Sequence, residues 1–336
     1  MANYSDVAKL AQVSPSTVSH VLNKTRFVSP QMTEKVLKAI KELDYRPNLL
    51  ARGLAIGKTN TIGLIVSDIK NPFFPEVIQG VEELALNEGY YIFLCNTDYN
   101  IDKGIKSIRA LIQKKVDGII LDSGLADNFF LMKELLETKI PIAIIDWNES
   151  NINADRIILD FKPGIKEAVE YLVCFGHRNI YFISGPKNLS TSIIRKNYFL
   201  ESIEEHRELA INHKIFYGDF KFEGGVEISR NLLKENILPT AIMCANDLMA
   251  LGVMKTLKEY NIKIPYDISI IGLDNIQMSE LVEPSLTTLE YKKYLIGQTA
   301  MQMLINRIMD KDFPTQKKNF TAKLIKRNST AKVKIS

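Results

Sequence analysis

From residue 61 onward, short apolar runs of β type alternate with helix-length amphipathic segments, and few folds accept that order. The runs are TIGLIVSD, YYIFLCNTD, DGIILDS, IPIAIID, RNIYFISG, AIMCAND and DISIIGLD. Between them lie segments such as FPEVIQGVEELALNEG, DKGIKSIRALIQKK and LMALGVMKTLKEYN. Strands that are apolar throughout are buried on both faces, and a helix after each one implies a doubly wound parallel sheet. Seven or more such units are long for one sheet, so the expectation is two α/β subdomains facing each other across a cleft. Gly89 and Gly176 fall where helix C-caps are expected.

Residues 5–43 follow a different rule and read as three short helices. Ser5 is a good N-cap for a helix with Val7, Ala8, Leu10 and Ala11 inward, and Ser14-Pro15 opens the second. Ser29-Pro30 starts a third, with Val36, Leu37, Ile40 and Leu43 at helical spacing, ending at DYRP. The second helix docks through Val18, Val21 and Leu22 and turns a polar face outward: Ser16, Thr17, His20 and Asn23. Such side chains near a helix N-terminus reach base edges in the major groove, and Arg26 just beyond can fork onto guanine. Charge points the same way. Residues 1–60 hold nine Lys and Arg against four Asp and Glu, while the rest holds 34 against 35. The positive excess therefore sits in the N-terminal sixth, as in a polyanion-binding module on a neutral body.

Open α/β sheets bind ligands beyond the carboxyl ends of their strands. In this chain those ends offer Asn71, Phe73 and Phe74, then Asp146-Trp147, then a Ser/Thr-rich loop leading to Arg195, then Phe220, Asn246-Asp247 and Asp274-Asn275. Rings with a few charged and amide groups suit a small polar ligand stacked on its faces and hydrogen-bonded at its rim. Each residue has a plainer alternative. Asn246, Asp247 and Asn275 are also good helix caps, Phe73 and Phe74 can be core, and Arg195 can pair with Glu201 or Glu205.

GLAIGKT at 53–59 is one residue short of a phosphate-binding loop and follows no strand. There is no GxGxxG after a strand, no GxSxG and no HExxH, and the four histidines show no metal spacing, so no catalytic residue, metal or cofactor is expected. His177 reads as structural. Cys95, Cys174 and Cys244 are far apart and read as buried free thiols of a reducing compartment. The N-terminus shows no export signal, and no apolar run approaches the ~18 residues needed to span a bilayer. A cytoplasmic location without membrane contact is expected.

SDVAKLAQVSPSTVSHVLNKTRFVS resembles the helix-turn-helix headpiece of the LacI/GalR family of transcriptional regulators, especially its purine repressor branch through SHVLNKTRFV. YRPNLLARGL is similar to that family's hinge helix, and TIGLIVSDIKNPFF, GHRNIYFISGP, PTAIMCANDLMALG, DISIIGLDN and PSLTTL match further family signatures in order. The resemblance implies a headpiece at 1–47 and a hinge at 48–60 that becomes helical on DNA, with Leu54 wedged into the minor groove. It implies a core similar to periplasmic sugar-binding proteins. The N-subdomain would comprise 61–161 and 291–320, and the C-subdomain 162–290 and 321–336. A homodimer on a palindromic operator, controlled by a small effector in the cleft, follows from the same likeness. Sugar-binding members often carry Asp-Arg where this chain has Asp146-Trp147. The purine branch usually has an arginine early in the loop after ISGP, where Lys187, Asn188 and Leu189 stand here. A sugar or sugar derivative is therefore the favoured effector, with a purine the alternative. A solute-binding receptor of the same core fold is the competing function, and an enzyme acting on a sugar comes third.

Overall fold

Asn3 opens the first helix, α1 (Tyr4–Ala11), where the sequence suggested Ser5. Its side-chain oxygen accepts from the N–H groups of Ser5 and Asp6 at 2.8 and 3.1 Å, and Asp6 Oδ2 accepts from Asn3 N–H at 2.9 Å. This reciprocal cap needs an acidic or amide residue three positions on; Ser5 has Ala8 there. In the turn after α1, Gln12 adopts the left-handed conformation at φ 55°. Ser14 caps α2 (Pro15–Asn23) as expected, accepting from Thr17 N–H at 3.1 Å. Ser29 caps α3 (Pro30–Glu42), and the chain leaves that helix through Asp44 at φ 41°. Val7, Ala8, Ala11, Val18, Val36, Ala39 and Tyr45 form the core, with Val21, Leu22, Ile40 and Leu43 against it. Leu10 and Leu37, expected inward, are 43% and 53% exposed. Leu37 lies one ~100° helical step from buried Val36, which carries it off the inward stripe.

This computed structural model describes residues 3–23, 26–45, 58–122, 124, 128–147, 154–235 and 238–333, in two units, Met1–Thr59 and Asn60–Ser336. Most of the hinge call at 48–60, including Leu54, lies outside the described residues.

In the second unit the strands β1 (Thr61–Val66), β2 (Tyr91–Asn96), β3 (Gly118–Asp122), β4 (Ile142–Ile145), β5 (Asp155–Asp160) and β11 (Lys317–Thr321) make one parallel sheet, ordered β11-β5-β4-β3-β1-β2. A second parallel sheet, β7-β6-β8-β9, is built from β6 (Asn179–Ser184), β7 (Asn212–Tyr217), β8 (Ala241–Cys244) and β9 (Ser269–Ile271). A two-stranded antiparallel pair, β10 (Thr288–Glu290) with β12 (Lys323–Ile325), completes the set. Alternation along the strands fills two cores. Ile62, Leu64 and Val66 of β1 belong to one apolar cluster, and Ile65 to the other. The apolar runs quoted from the sequence leave out β5, β7, β10, β11 and β12. β10 and β12 are three residues long, and β11 is a mostly exposed edge strand reading KKNFT, so none shows a continuous apolar run.

Gly89 and Gly176 end their helices at φ 78° and 89°; each following N–H reaches back five residues, Tyr90 to Ala85 O and His177 to Leu172 O. The close approach of α4 (Phe73–Asn87) to α12 (Lys293–Met309) rests on glycine in another way. A Cβ on Gly80 would stand 2.0 Å from Tyr294 O, and one on Gly297 2.0 Å from Val77 O. The two backbones touch directly. Cys95 is half-buried and Cys244 buried, but Cys174, expected inside, is exposed. It is the last residue of α7 (Lys162–Cys174), one step past buried Leu172 and Val173. His177 is held within the fold, Nε2 donating to Ala331 O at 3.1 Å and Nδ1 lying 3.0 Å from Thr240 Oγ1, as a structural residue does. Among the described residues no helix is long and apolar enough to cross a membrane.

Candidate functional site

The carboxyl ends of both large sheets converge on a narrow cavity of about 60 Å³. Eight of the eleven strand-end residues named from sequence line it: Asn71, Phe73, Phe74, Asp146, Arg195, Phe220, Asn246 and Asp274; Asp247 and Asn275 lie outside it. So does Trp147. The N–H groups of Asp146 and Trp147 both reach Ile157 O, at 2.9 and 3.2 Å, with Asp146 at φ 63°, which makes a bulge at the end of β4. The bulge shifts the strand's alternation by one residue. Trp147 therefore leaves the face of cavity-lining Ile145 and joins the opposite core with Ile142 and Ile144. The cleft role assigned to it from sequence is corrected accordingly.

Arg195 is on the second turn of α8 (Ser190–Glu204), not in a loop, and only 8% exposed. Its guanidinium carbon stands 4.2 Å from the centre of the Phe161 ring and 5.4 Å from that of Phe220, and Nη1 donates to Ala245 O at 2.6 Å. Nε is buried without a hydrogen-bond partner among the described residues. The surface pairing considered for Arg195 is taken by others: Glu201 by Lys162 at 2.9 Å, and Glu205 by Lys166 at 2.7 Å. Asn246 is both cap and liner. Its Oδ1 accepts from Met249 N–H at 3.0 Å at the start of α10 (Asp247–Glu259), and Nδ2 donates to Phe220 O at 2.7 Å. Asp247 stays inside the protein, accepting from Thr288 Oγ1 at 2.6 Å and from Ile276 N–H at 2.9 Å. Burial raises its carboxyl to about 6.

Asp274 is 4% exposed at φ 117°. Burial pushes its carboxyl up to about 7, Asp247 adds to the rise, and Arg195, Lys293 and a hydrogen bond from Asn71 oppose it. Lys293 Nζ holds the loop beneath, donating to Asp274 O at 2.9 Å and Asn275 O at 2.8 Å, and lies 3.2 Å from Glu76 of α4. Four lining residues, Tyr99, Asp146, Phe220 and Asp274, carry positive φ. Left-handed backbone at such residues costs of order 1–3 kcal/mol each and gathers at working sites. Side chains also join across the cleft: Thr191 Oγ1 donates to Asp146 Oδ2 at 3.0 Å, Lys221 Nζ meets Asp98 Oδ1 at 2.9 Å, and the rings of Tyr99 and Phe220 lie 5.8 Å apart.

Sequence reasoning left out Ser67, Tyr99, Asp122 and Thr191 as liners. Asp122 ends β3, where its Oδ2 accepts from Ser67 N–H at 2.7 Å, and Tyr99 follows β2 by three residues, so the strand-end rule extends to both. In the first unit Ser16 and Arg26 are exposed, Thr17 and His20 are half-buried, and Asn23 closes α2. Ser14 Oγ ties the front of this face, 2.7 Å from Ser16 Oγ and 2.9 Å from Thr17 Oγ1.

Residues 4–48 match the family described as bacterial regulatory proteins, lacI family, and residues 169–330 match a periplasmic binding protein-like domain. The chain is 40% identical over 313 residues to the HTH-type transcriptional repressor PurR of Histophilus somni, covering 93% of each protein. It belongs to the LacI family. Among solved structures, the lac repressor dimer bound to operator and the anti-inducer ONPF superposes with a TM-score of 0.86 at 27% identity, covering 98% of this chain and 99% of that one. A LacI family regulator from Enterococcus faecium with bound ribose superposes with a TM-score of 0.74 at 29% identity, over 82% of this chain and all of the other. This LacI-family chain is thus a DNA-binding transcriptional regulator of the repressor type and not an enzyme, with the helix-turn-helix headpiece and parallel-sheet core that its sequence suggested.

Proposed function

We propose that the chain is a cytoplasmic repressor that binds a palindromic operator as a homodimer and releases or grips it according to a small effector, most simply a sugar or sugar derivative. The observation that carries this reading is the convergence of Phe73, Phe74, Asp146, Arg195, Phe220, Asn246 and Asp274 on one cavity. Three rings and a stacked guanidinium give flat faces, and carboxylates and an amide give a hydrogen-bonding rim, which suits a hydroxylated ring. In the headpiece (1–47), Ser16, Thr17, His20, Asn23 and Arg26 are assigned to the major groove, and Leu54 of the hinge (48–60) to a minor-groove wedge. The core divides into 61–161 with 291–320 and 162–290 with 321–336, and differential affinity of the effector for two arrangements of these parts couples it to DNA.

A purine effector is the second reading, favoured by the 40% identity to a repressor named PurR. Against it stands Leu189, which lines the cavity on the loop where the purine branch usually supplies an arginine. Selection from random duplex oligonucleotides, followed by a thermal-shift screen of the full chain against sugars and purines, tests the proposal. An enriched inverted repeat and a stabilising sugar are expected. Selection that enriches no inverted motif overturns the operator assignment, and stabilisation by purines alone overturns the sugar.

A further inference from the structure

Resting on the placement of the effector in this cavity, we infer that the site takes an uncharged, hydroxyl-rich ring and rejects phosphorylated ligands. Three carboxylates line the cavity, Asp122, Asp146 and Asp274, against one cation, Arg195. No lysine lines it. Lys221, next to lining Phe220, and Lys293, beneath Asp274, are committed elsewhere: Lys221 to Asp98 at 2.9 Å, and Lys293 to two backbone carbonyls and Glu76. A phosphate site ordinarily offers paired cations, a fork of N–H donors or an open helix N-terminus.

Three of the described helices have a cap or first-turn residue lining this cavity; α4 and α10 have an amide cap beside their start, and α8, without a side-chain cap, has the carboxylate of Asp146 there. At α4, Asn71 Oδ1 accepts from Phe73 N–H at 3.0 Å. At α8, Asp146 Oδ2 accepts from Thr191 Oγ1. At α10, Asn246 accepts from Met249 N–H and Asp247 supplies a carboxylate to the first turn. The positive helix ends are thus served by carboxylates and caps.

What remains facing the ligand is acceptor-rich. Carboxylate oxygens receive O–H or N–H groups, and the buried, unpartnered Nε of Arg195 calls for a single acceptor oxygen, as a ring or hydroxyl oxygen supplies. Burial lifts Asp274 toward neutrality, which lets it donate as well as accept; Asp122 and Asp146 add two more carboxyl groups against the one guanidinium. A phosphoryl group brought among them meets like charge with little water to screen it.

The test is a thermal-shift and calorimetric comparison on the full chain of matched pairs: D-ribose with D-ribose 5-phosphate, D-glucose with D-glucose 6-phosphate, and inorganic phosphate alone, at equal ionic strength. Binding by an unphosphorylated parent, with its ester weaker by ~100-fold or more, is expected from like-charge repulsion at a buried site. Asp146→Asn is expected to narrow that gap, and an unchanged far-UV circular dichroism spectrum reports that the variant is folded. Stabilisation by an ester or by phosphate that Arg195→Ala removes overturns the charge rule and keeps the cavity as the effector site. Stabilisation that survives both Arg195→Ala and Phe220→Ala overturns the cavity itself as the site. A panel in which no member binds overturns the uncharged-sugar assignment.

Discussion

Thr191 donates its hydroxyl to Asp146 Oδ2 at 3.0 Å, tying the first turn of α8 to the bulge that ends β4. One residue belongs to the layer around the second sheet and the other to the first sheet, so the bond spans the mouth of the cleft. One hydrogen bond is a modest contribution in itself; on the proposed two-state reading of the core it favours the arrangement in which these residues meet.

Thr191→Val keeps the shape of the side chain and removes the donor. A net ~0.5–1.5 kcal/mol per hydrogen bond shifts an open–closed balance roughly 2- to 13-fold. The ligand-free variant is expected to show a larger radius of gyration in solution scattering than the wild type, at nearly unchanged melting temperature. Identical scattering curves would remove this bond from the account of closure.

Arg26 is exposed directly after the reading helix. Arg26→Ala is expected to cost ~1–3 kcal/mol on the selected operator, the range of one bidentate base contact. Loss on unrelated duplex should be much smaller. Titrations of both duplexes at one salt concentration check this, and equal losses on the two would demote Arg26 to a phosphate contact.

Gly80→Ala places a methyl group where the carbonyl oxygen of Tyr294 now stands 2.0 Å away. Backbone, unlike a long side chain, has little room to yield, so α4 and α12 must separate. A destabilisation of ~1–3 kcal/mol or more is expected from overpacking of this kind. Denaturant unfolding measures it; a variant as stable as the wild type would mean the helices part freely.

Asp274 carries a carboxyl raised to about 7 in the folded chain against an ordinary value of 3.8. The folded state therefore binds more protons than the unfolded one between these values, and stability contributed through this group falls as pH rises across that window. Relative to Asp274→Asn, which does not titrate, the wild type is expected to lose stability as pH rises from about 4 to about 7 and to level off above that. Parallel stability profiles for the two proteins would show that the carboxyl is ionised throughout.

The fold was legible because most parallel strands here are apolar on both faces and are punctuated by Schellman-type glycines such as Gly89 and Gly176. β11 was not, since an exposed edge strand reading KKNFT owes its place to pairing with β5 and not to its own pattern. The cleft was legible through one rule, that ligands lie beyond strand ends, which found Phe220 and Asp274 despite their unusual backbone. The rule failed at Trp147 because a single bulge reverses which way a residue faces, and nothing in the letters IIDWN announces it. Tyr99 and Asp122 were passed over although they obey the same rule. Ser5 lost to Asn3 because a cap depends on a partner three residues away as much as on its own side chain.

The glycine contact between α4 and α12 has a mechanical meaning. With no side chains interposed at that crossing, there is no cushion to absorb movement. At its front end α4 presents Phe73 and Phe74 to whatever fills the cavity, while α12 begins at Lys293, whose ammonium clasps the carbonyls of Asp274 and Asn275 and the carboxylate of Glu76. The two helices behave as one beam. Through that contact the wall carrying Phe73 and Phe74 is joined to the wall carrying Asp274.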